Sequence, residues 1–207
     1  MQKTNYQTQT DNITAALSGE RPRLLLQSCC GPCSSYVLEY LTQFFDVTLL
    51  YYNPNIQPPA EYDLRLETQK RLLAHFPGVK LLPCDYDAAS YDAAVRGLEA
   101  EPEGGARCTE CFRLRLGFTA QRARELSFPY FCTTLTVSPH KDAERINALG
   151  AEIGRQYGVR FLPSDFKKRD GYKRSLELSA ELGLYRQDYC GCLYSKKDTT
   201  LKEETPE

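Results

Sequence analysis

Short apolar runs alternate along the chain with longer segments in which hydrophobic residues recur every three or four positions. The runs predict β-strands at residues 23–27, 47–52, 79–83, 130–134 and 159–162. The intervening segments predict helices at about residues 34–44, 60–76, 88–98, 107–126, 138–157 and 172–182. Ser138 and Pro139 are typical of an N-cap and a first helical position. Because strands alternate with helices, the pattern predicts an α/β fold, a three-layer sandwich around a mainly parallel sheet.

Two polar ends flank this alternating pattern. Residues 1–20 lack a dense apolar periodicity and are predicted to form a loosely held arm, and residues 196–207 to form a polar tail. Between them, residues 21–195 are predicted to form a single α/β domain that ends in a small cysteine-containing segment. A chain of 207 residues with 42% hydrophobic content is long enough for one such domain with a real core.

The hydropathy pattern also bears on location. No apolar stretch approaches the roughly 18 residues of a membrane span. The first residues lack the charged-then-apolar layout of a signal peptide. The sequence therefore predicts a cytoplasmic protein with no membrane partner.

The number and spacing of the cysteines limit the kinds of chemistry that the sequence predicts. The cytosol keeps thiols reduced, so nine cysteines in such a chain indicate metal binding or redox chemistry rather than a framework of disulfides. Two of them, Cys84 and Cys132, stand alone after apolar residues and are predicted to line the core. The others fall in three tight groups: Cys29, Cys30 and Cys33; Cys108 and Cys111; Cys190 and Cys192.

The first group lies in the turn between the first predicted strand and its helix, in the sequence Cys-Cys-Gly-Pro-Cys-Ser-Ser at residues 29–35. Such a turn lies at the carboxyl edge of a parallel sheet, where open α/β folds bind ligands. Helix-terminal amides and the helix dipole favour anions there, so these thiols should ionise readily. Ionised thiols are good metal ligands and good nucleophiles.

The second group, Cys108-x-x-Cys111, lies at the predicted start of a helix. One helical turn aims both sulfur atoms at a single ion or cluster, which by itself fits zinc, an iron–sulfur cluster or a redox dithiol. Together with the first group, it favours a thiolate-rich metal site. A closed structural zinc site with four thiolate ligands is the alternative.

In the third group, only Gly191 separates Cys190 from Cys192. The disulfide ring that such a pair closes is small and strained, and strain raises its reduction potential. This favours a redox-active dithiol over a structural disulfide. The alternative is a further pair of metal ligands, completed by an aspartate such as Asp165 or Asp188.

The net charge of −1 hides an uneven distribution. Residues 107–124 carry five arginines against one acidic residue, and residues 155–202 carry eleven basic against six acidic residues. Both basic segments adjoin a cysteine group, whereas residues 1–106 are acidic overall. A positive face of this kind attracts a polyanion, although two solvated helix faces would give the same charge pattern.

Three stretches together resemble one family. They are Leu-Gln-Ser-Cys-Cys-Gly-Pro-Cys-Ser-Ser at residues 26–35, Arg-Cys-Thr-Glu-Cys-Phe-Arg-Leu-Arg at 107–115 and Tyr-Cys-Gly-Cys at 189–192. Asn-Pro-Asn-Ile at residues 53–56 and Thr-Leu-Thr-Val-Ser-Pro at 134–139 also resemble blocks of that family. It is the QueH-type epoxyqueuosine reductases, and the resemblance covers about residues 24–194.

This resemblance implies a nucleotide-hydrolase-like (HUP-like) sandwich that binds a [4Fe-4S] cluster and acts on tRNA. The implied reaction removes the epoxide oxygen of epoxyqueuosine at the wobble position, the last step of queuosine biosynthesis. The implied residues are Cys29, Cys30, Cys108 and Cys111 as cluster ligands, and Cys190 with Cys192 as a redox-active disulfide pair. An external electron donor would reset that pair. An additional iron near the cluster is also implied, with Cys33 and Asp165 as candidate ligands.

The implied reaction also gives the basic segments a role. Arg107, Arg113, Arg115 and the run Lys167-Lys168-Arg169 would contact phosphates of the anticodon loop, whose bases can be splayed out. Two other functions remain open. One is a non-catalytic RNA-binding module with structural zinc, and the other is a plain thiol oxidoreductase that needs only Cys190 and Cys192.

Overall fold

The computed structural model describes residues 4–196, and within them a strand lies at each predicted position. Numbered in chain order, the strands are β1 Arg23–Gln27, β2 Asp46–Leu50, β3 Lys80–Leu82, β4 Tyr130–Thr133 and β5 Arg160–Phe161. All neighbours pair in parallel, in the order β3-β2-β1-β4-β5. The turn after the central strand β1 therefore lies in the middle of the carboxyl edge of the sheet.

The α-helices described are α1 Tyr6–Ala16, α2 Gly31–Leu41, α3 Pro59–Leu73, α4 Ala88–Ala94, α5 Ala106–Glu125, α6 Ala143–Tyr157 and α7 Gly171–Glu181. A short 3-10 helix, Thr134–Val137, follows β4. Among residues 4–196, none of the helices combines the length and the apolar character needed to cross a bilayer.

The central strand shows how the layers are arranged. Leu24 and Leu26 of β1 pack into one core with α2 and α3, whereas Leu25 packs into the opposite core with α5 and α6. All three leucines are fully buried. A strand covered on both faces is the reason that this run is continuously apolar. The predicted three-layer sandwich with a parallel sheet is confirmed.

The amino-terminal segment differs from its prediction. Residues 6–16 form α1 rather than a loosely held arm, and Asn5 caps the helix through its side chain. Thr10 donates a hydrogen bond to the carbonyl of Pro163 at 2.6 Å, and Tyr40 donates one to Asp11 at 3.1 Å. The buried residues of α1 are polar, namely Gln7, Thr10 and Thr14, so the helix has no apolar stripe for the sequence pattern to detect.

The start of α6 also differs from its prediction. Asp142 is the N-cap, and its side chain accepts a hydrogen bond from the Arg145 amide at 3.1 Å. Residues 138–141 instead form an irregular turn between the 3-10 helix and α6. The predicted cap at Ser138 is therefore wrong by one turn of helix, and this leaves Lys141 free to reach the carboxyl edge of the sheet. Residues 197–207 of the predicted tail, like residues 1–3, lie outside the described residues.

Candidate metal and redox site

The first cysteine group forms a compact thiol cluster. The sulfur atoms of Cys29, Cys30 and Cys33 all lie within 4.8 Å of one another, and those of Cys29 and Cys30 are 3.8 Å apart. The close packing of α2 against α3 fixes this turn: a Cβ added to Gly31 would lie 2.9 Å from Cγ2 and 3.2 Å from the carbonyl oxygen of Thr68. Three soft ligands at this separation are a site for a thiophilic metal.

A buried hydrogen-bond network holds the turn from beneath. The Ser28 hydroxyl lies 2.7 Å from both the Ser34 hydroxyl and the Gln69 side-chain oxygen. Asn53 donates to the Ser28 carbonyl at 2.8 Å, and Gln27 donates to the Tyr52 carbonyl at 3.1 Å. These hydrogen bonds tie the turn to α3 and to the end of β2, which holds the backbone that carries the thiols in place.

The second cysteine group lies on the first turns of α5. Cys108 accepts a hydrogen bond from the Gly104 amide at 3.2 Å. Cys111 is buried with Tyr91, Val95 and Cys192 in a small cluster of its own. In residues 4–196, the group of mutually close thiols comprises Cys29, Cys30 and Cys33, and Cys108 and Cys111 lie outside that 4.8 Å group.

The third cysteine group is held by α3. Arg65 donates hydrogen bonds to the carbonyls of Cys190 and Tyr189 at 3.2 and 3.4 Å, and the Gly191 carbonyl accepts one from Gln57 at 2.9 Å. Gly191 has a φ of +114°, and a Cβ there would lie 3.0 Å from the Arg65 guanidinium. Glycine is therefore required between the two cysteines both by the backbone conformation and by the close approach of Arg65.

All nine cysteines are free thiols. Cys190 and Cys192 are thus described in the dithiol form, and their disulfide stays a prediction for the oxidised state. The lone Cys132 is fully buried in the core, whereas Cys84 is partly exposed and packs against the core from outside. The core-lining prediction is confirmed for Cys132 and holds only in part for Cys84.

A cavity of about 520 Å³ opens at the carboxyl edge of the sheet and joins the first and third groups. Its lining includes Cys29, Cys33, Cys190, Arg115, Lys141 and Asn55. Two acceptor atoms at this cavity, Oδ1 of Asn55 and Oε1 of Gln187, are buried and have no hydrogen-bond partner within residues 4–196. Unpartnered buried acceptors are costly, and a ligand that donates hydrogen bonds to them would remove that cost.

Arg115 is the buried charge at the centre of the site. It is 2% exposed and donates a hydrogen bond to the Asn53 side-chain oxygen at 2.6 Å. Its charge acts on Cys111, Cys29 and Cys190, and no carboxylate of the described residues forms an ion pair with it. A buried cation is expensive unless an anion lies near it. The arrangement therefore favours thiolates around Arg115.

The thiol pKa values diverge within the first group. Hydrogen bonds from Cys30 and Cys33, with the charge of Arg115, hold the pKa of Cys29 well below its usual range. The same hydrogen bonds raise the pKa of Cys30 and of Cys33, because each acts as the donor. The turn after β1 therefore favours a thiolate at Cys29 that is stabilised by the two neighbouring thiols, and a thiolate is the form that binds a metal.

The basic residues lie differently from the prediction. Arg107 and Arg115 are both 2% exposed, so the predicted phosphate contacts are wrong for these two. Arg107 donates to the carbonyl of Glu99 at 3.0 Å, which ties the preceding loop to α5. Arg113 is exposed but pairs with Glu152 at 2.8 Å. An arginine-rich helix sequence predicts a solvent-exposed face. The packing shows instead that two of these guanidinium groups are buried within the protein.

In the run 167–169, Lys167 pairs with Asp165 at 2.6 Å and Arg169 pairs with Asp11. Lys168 is exposed and forms no ion pair with a described residue. Sequence reasoning also missed Lys141, Asn55 and Gln187. The signal for Lys141 was its position after the Ser-Pro block that follows β4. The signal for Asn55 was its position in the Asn-Pro block that follows β2. Gln187 carried no signal beyond its nearness to Cys190.

A parallel α/β sandwich that gathers thiols at the carboxyl edge of its sheet is compatible with an oxidoreductase or a metal-binding protein. Residues 24–198 match the family model described as epoxyqueuosine reductase QueH. The chain belongs to the QueH family of epoxyqueuosine reductases.

Relatives of that name cover most of the chain. The Streptococcus pyogenes serotype M1 protein is 46% identical over 95% of this chain and 80% of its own length. The Staphylococcus epidermidis protein is 42% identical over 94% of this chain and 85% of its own length. Among solved structures, a predicted subunit of tRNA methyltransferase from Methanocaldococcus jannaschii is 16% identical with a TM-score of 0.48, over 77% of this chain and 76% of its own. That last likeness is too low to bear on function.

Proposed function

We propose that this epoxyqueuosine reductase acts on the anticodon loop of tRNA in the cytoplasm, where it removes the epoxide oxygen of epoxyqueuosine and leaves queuosine. The observation that carries the proposal is the meeting of thiols from distant parts of the chain around one buried guanidinium. Cys29, Cys33 and Cys190 line the same cavity, and Arg115 lies among them. A cavity of about 520 Å³ is within the usual range for a small-molecule or nucleobase pocket.

The residues at this edge fit a thiolate-bound metal centre. Cys29 and Cys30, with Cys108 and Cys111, would hold the [4Fe-4S] cluster of the family, and Cys33 lies within the same 4.8 Å group as the first two. When bound, a cluster of this kind would relay electrons, and an additional iron with an open position would polarise a C–O bond. Cys33 is also the better candidate to hold an additional iron, because Asp165 lines a different cavity and pairs with Lys167.

Two cysteines of this chain can supply the electrons that the reaction needs. Deoxygenation breaks both C–O bonds of the epoxide, forms a C=C bond and releases water, which takes up two electrons and two protons. Cys190 and Cys192 supply two electrons when they form a disulfide, and an external reductant restores the dithiol. Asn55 and Gln187 would accept hydrogen bonds from N–H or O–H groups of the substrate, which fixes its orientation.

One experiment tests the function as a whole. Protein purified without air is assayed for iron, acid-labile sulfide and zinc, and for turnover of tRNA that carries epoxyqueuosine. The expected protein is brown, bleaches with dithionite and forms queuosine. A colourless zinc protein with full activity would exclude the cluster, and a zinc protein that binds tRNA without turnover would support the RNA-binding module instead.

The Cys108→Ala variant tests the set of cluster ligands that the family resemblance implies. We expect Cys108→Ala to lose iron as well as turnover, because a cluster with four thiolate ligands has no spare. The matched control is Cys84→Ala, which removes a partly buried cysteine outside the three groups and should keep the wild-type iron content. Full iron in Cys108→Ala, with loss of iron in Cys33→Ala, would replace Cys108 by Cys33 among the ligands.

Charge reversal at Lys168 tests the tRNA contact. This exposed lysine lies beside a second cavity of about 560 Å³, which α1 and residues 165–169 enclose and which shares Lys141 with the first. We expect Lys168→Glu to weaken tRNA binding by about three- to tenfold and to reduce the salt slope by about one, as the loss of one phosphate contact does.

The control for that measurement is Lys80→Glu. Lys80 is exposed and begins β3, so it lies at the amino edge of the sheet, opposite the cavities. Filter binding or anisotropy over a salt series measures both quantities. Equal affinities and slopes for Lys168→Glu and wild type would remove this loop from the RNA interface.

A further inference from the structure

The two cysteines of the third group are not equivalent in position. Cys190 lines the 520 Å³ cavity, together with Cys29 and Cys33 of the first group. Cys192 does not line it: the residue is 6% exposed and packs with Tyr91 and Cys111 behind the cavity wall. A substrate in the cavity therefore meets Cys190 and not Cys192.

Lys141 contacts the cavity-facing cysteine directly. Its ammonium nitrogen lies 3.0 Å from the sulfur of Cys190, and its side chain is only 11% exposed. The carboxylate of Glu103 lies farther away, at 3.6 Å, and is 40% exposed. A nearly buried ammonium needs an anion within reach, and the nearest group that can become one is the Cys190 thiol.

Cations and a hydrogen bond lower the pKa of Cys190, whereas burial raises it and a Cys29 thiolate in the same cavity would oppose its ionisation. Lys141 precedes α6, Arg115 lies on α5 and Cys192 lies on the same segment, and all three lower the pKa of Cys190, with the hydrogen bond from Cys192 as the largest cause. The same hydrogen bond raises the pKa of Cys192. Of the remaining groups, Cys111 is a thiol whose pKa burial raises to about 11, and Glu103 is bound to Lys141.

We infer that Lys141 is a positioning residue that holds Cys190 as the anionic, cavity-facing member of the pair, while Cys192 serves as the resolving thiol behind it. This inference rests on the proposed function, since it divides the roles within that dithiol. In the balanced step, the Cys190 thiolate and the Cys192 thiol give up two electrons and join in an S–S bond. The epoxide oxygen leaves as water with one proton from Cys192 and one from solvent, and a C=C bond forms between the two carbons.

The test measures thiol reactivity and does not need turnover. Oxygen-free, metal-loaded protein is pulsed with iodoacetamide at several pH values, and the modified cysteines are mapped by mass spectrometry. In the wild type we expect Cys190 to be alkylated before Cys192. In Lys141→Met the alkylation rate of Cys190 at pH 7 should fall at least tenfold, and its pH midpoint should rise, because the neighbouring cation is lost.

Two variants complete the design. Lys141→Arg keeps the positive charge and should restore most of the rate, while Lys80→Met removes an exposed lysine at the far edge of the sheet and should leave the rate unchanged. Iron content and the melting temperature of each variant report whether the fold is intact. If Lys141→Met does not fold, the pH midpoint of Cys190 alkylation is compared between Lys141→Arg and the neutral Lys141→Gln. This comparison also isolates the effect of the positive charge.

The outcomes separate this inference from the proposed function. A wild-type rate and pH midpoint in Lys141→Met, or alkylation of Cys192 before Cys190 in the wild type, would overturn the assigned roles. A wild type that shows the expected labelling order but does not reduce epoxyqueuosine in tRNA would contradict the proposed function instead, and the assignment of Lys141 to Cys190 would stand.

Discussion

Replacing Cys190 with serine should reduce multiple turnover by at least about a thousandfold, which corresponds to roughly 4 kcal/mol in the activation barrier. A serine hydroxyl can neither donate electrons nor form a disulfide with Cys192, so the oxidised pair can no longer form. Bound iron should stay near the wild-type level, because the ligand set proposed for the cluster, Cys29, Cys30, Cys108 and Cys111, does not include Cys190.

Turnover of tRNA with an excess of reductant, measured beside iron content, checks both halves of this expectation. Cys84→Ser is the matched control, since it makes the same substitution at a cysteine remote from the cavity. Two results would contradict the dithiol role. An unchanged rate would show that the pair is not needed, and a loss of iron would favour the alternative in which Cys190 is a metal ligand.

Replacing Cys29 with alanine should remove most of the bound iron and, with it, all measurable turnover. Cys29 is the thiol that two neighbouring thiols and Arg115 stabilise as an anion, so it contributes the most readily ionised sulfur of the first group. Without it, the turn keeps two of its three closely spaced sulfur atoms, and the proposed four-thiolate ligand set is left with three members.

Iron and acid-labile sulfide counts on oxygen-free protein test this, with far-ultraviolet circular dichroism to confirm folding. Cys132→Ala removes a fully buried thiol from the core and reports the effect of losing a cysteine away from the site. If Cys29→Ala retained its full iron content, Cys29 would not be a ligand, and the iron would have to be held by the remaining cysteines.

The sheet was predictable because its strands are buried on both faces. Leu24, Leu25 and Leu26 are all fully buried, and a run of that kind has few alternatives to a central parallel strand. Helix α1 was not predicted, because its buried residues are polar, namely Gln7, Thr10 and Thr14. Hydrophobic periodicity detects only buried apolar side chains. It does not detect polar side chains that are buried and held by hydrogen bonds.

The thiol group at the end of β1 could be recognised in the sequence, whereas the charged side chains beside it could not. Closely spaced cysteines are rare enough in a reduced chain to stand out, and the motif that contains Cys29, Cys30 and Cys33 follows a strand. Arg115 gave no comparable signal, because an arginine in a helix is usually solvated. Its hydrogen-bond partner Asn53 lies 62 residues away in the sequence, so no local pattern shows this contact.

The cation Lys141 illustrates the same limit. Its approach to Cys190 depends on α6 starting at Ala143 rather than at Ser138, a shift that follows from the capping side chain of Asp142. Helix boundaries are the least predictable feature of an amphipathic segment, and here a difference of a few residues decides whether a lysine lies on a helix or at the cavity.

The anchoring of residues 189–191 by Arg65 bears on how the enzyme matures in the cell. The ribosome delivers Cys29 early and Cys190 late, so a growing chain exposes the first thiols before the segment that closes the pocket has been made. The cavity that Cys29 shares with Cys190 is therefore complete only after residues 189–191 have been made and have docked on Arg65.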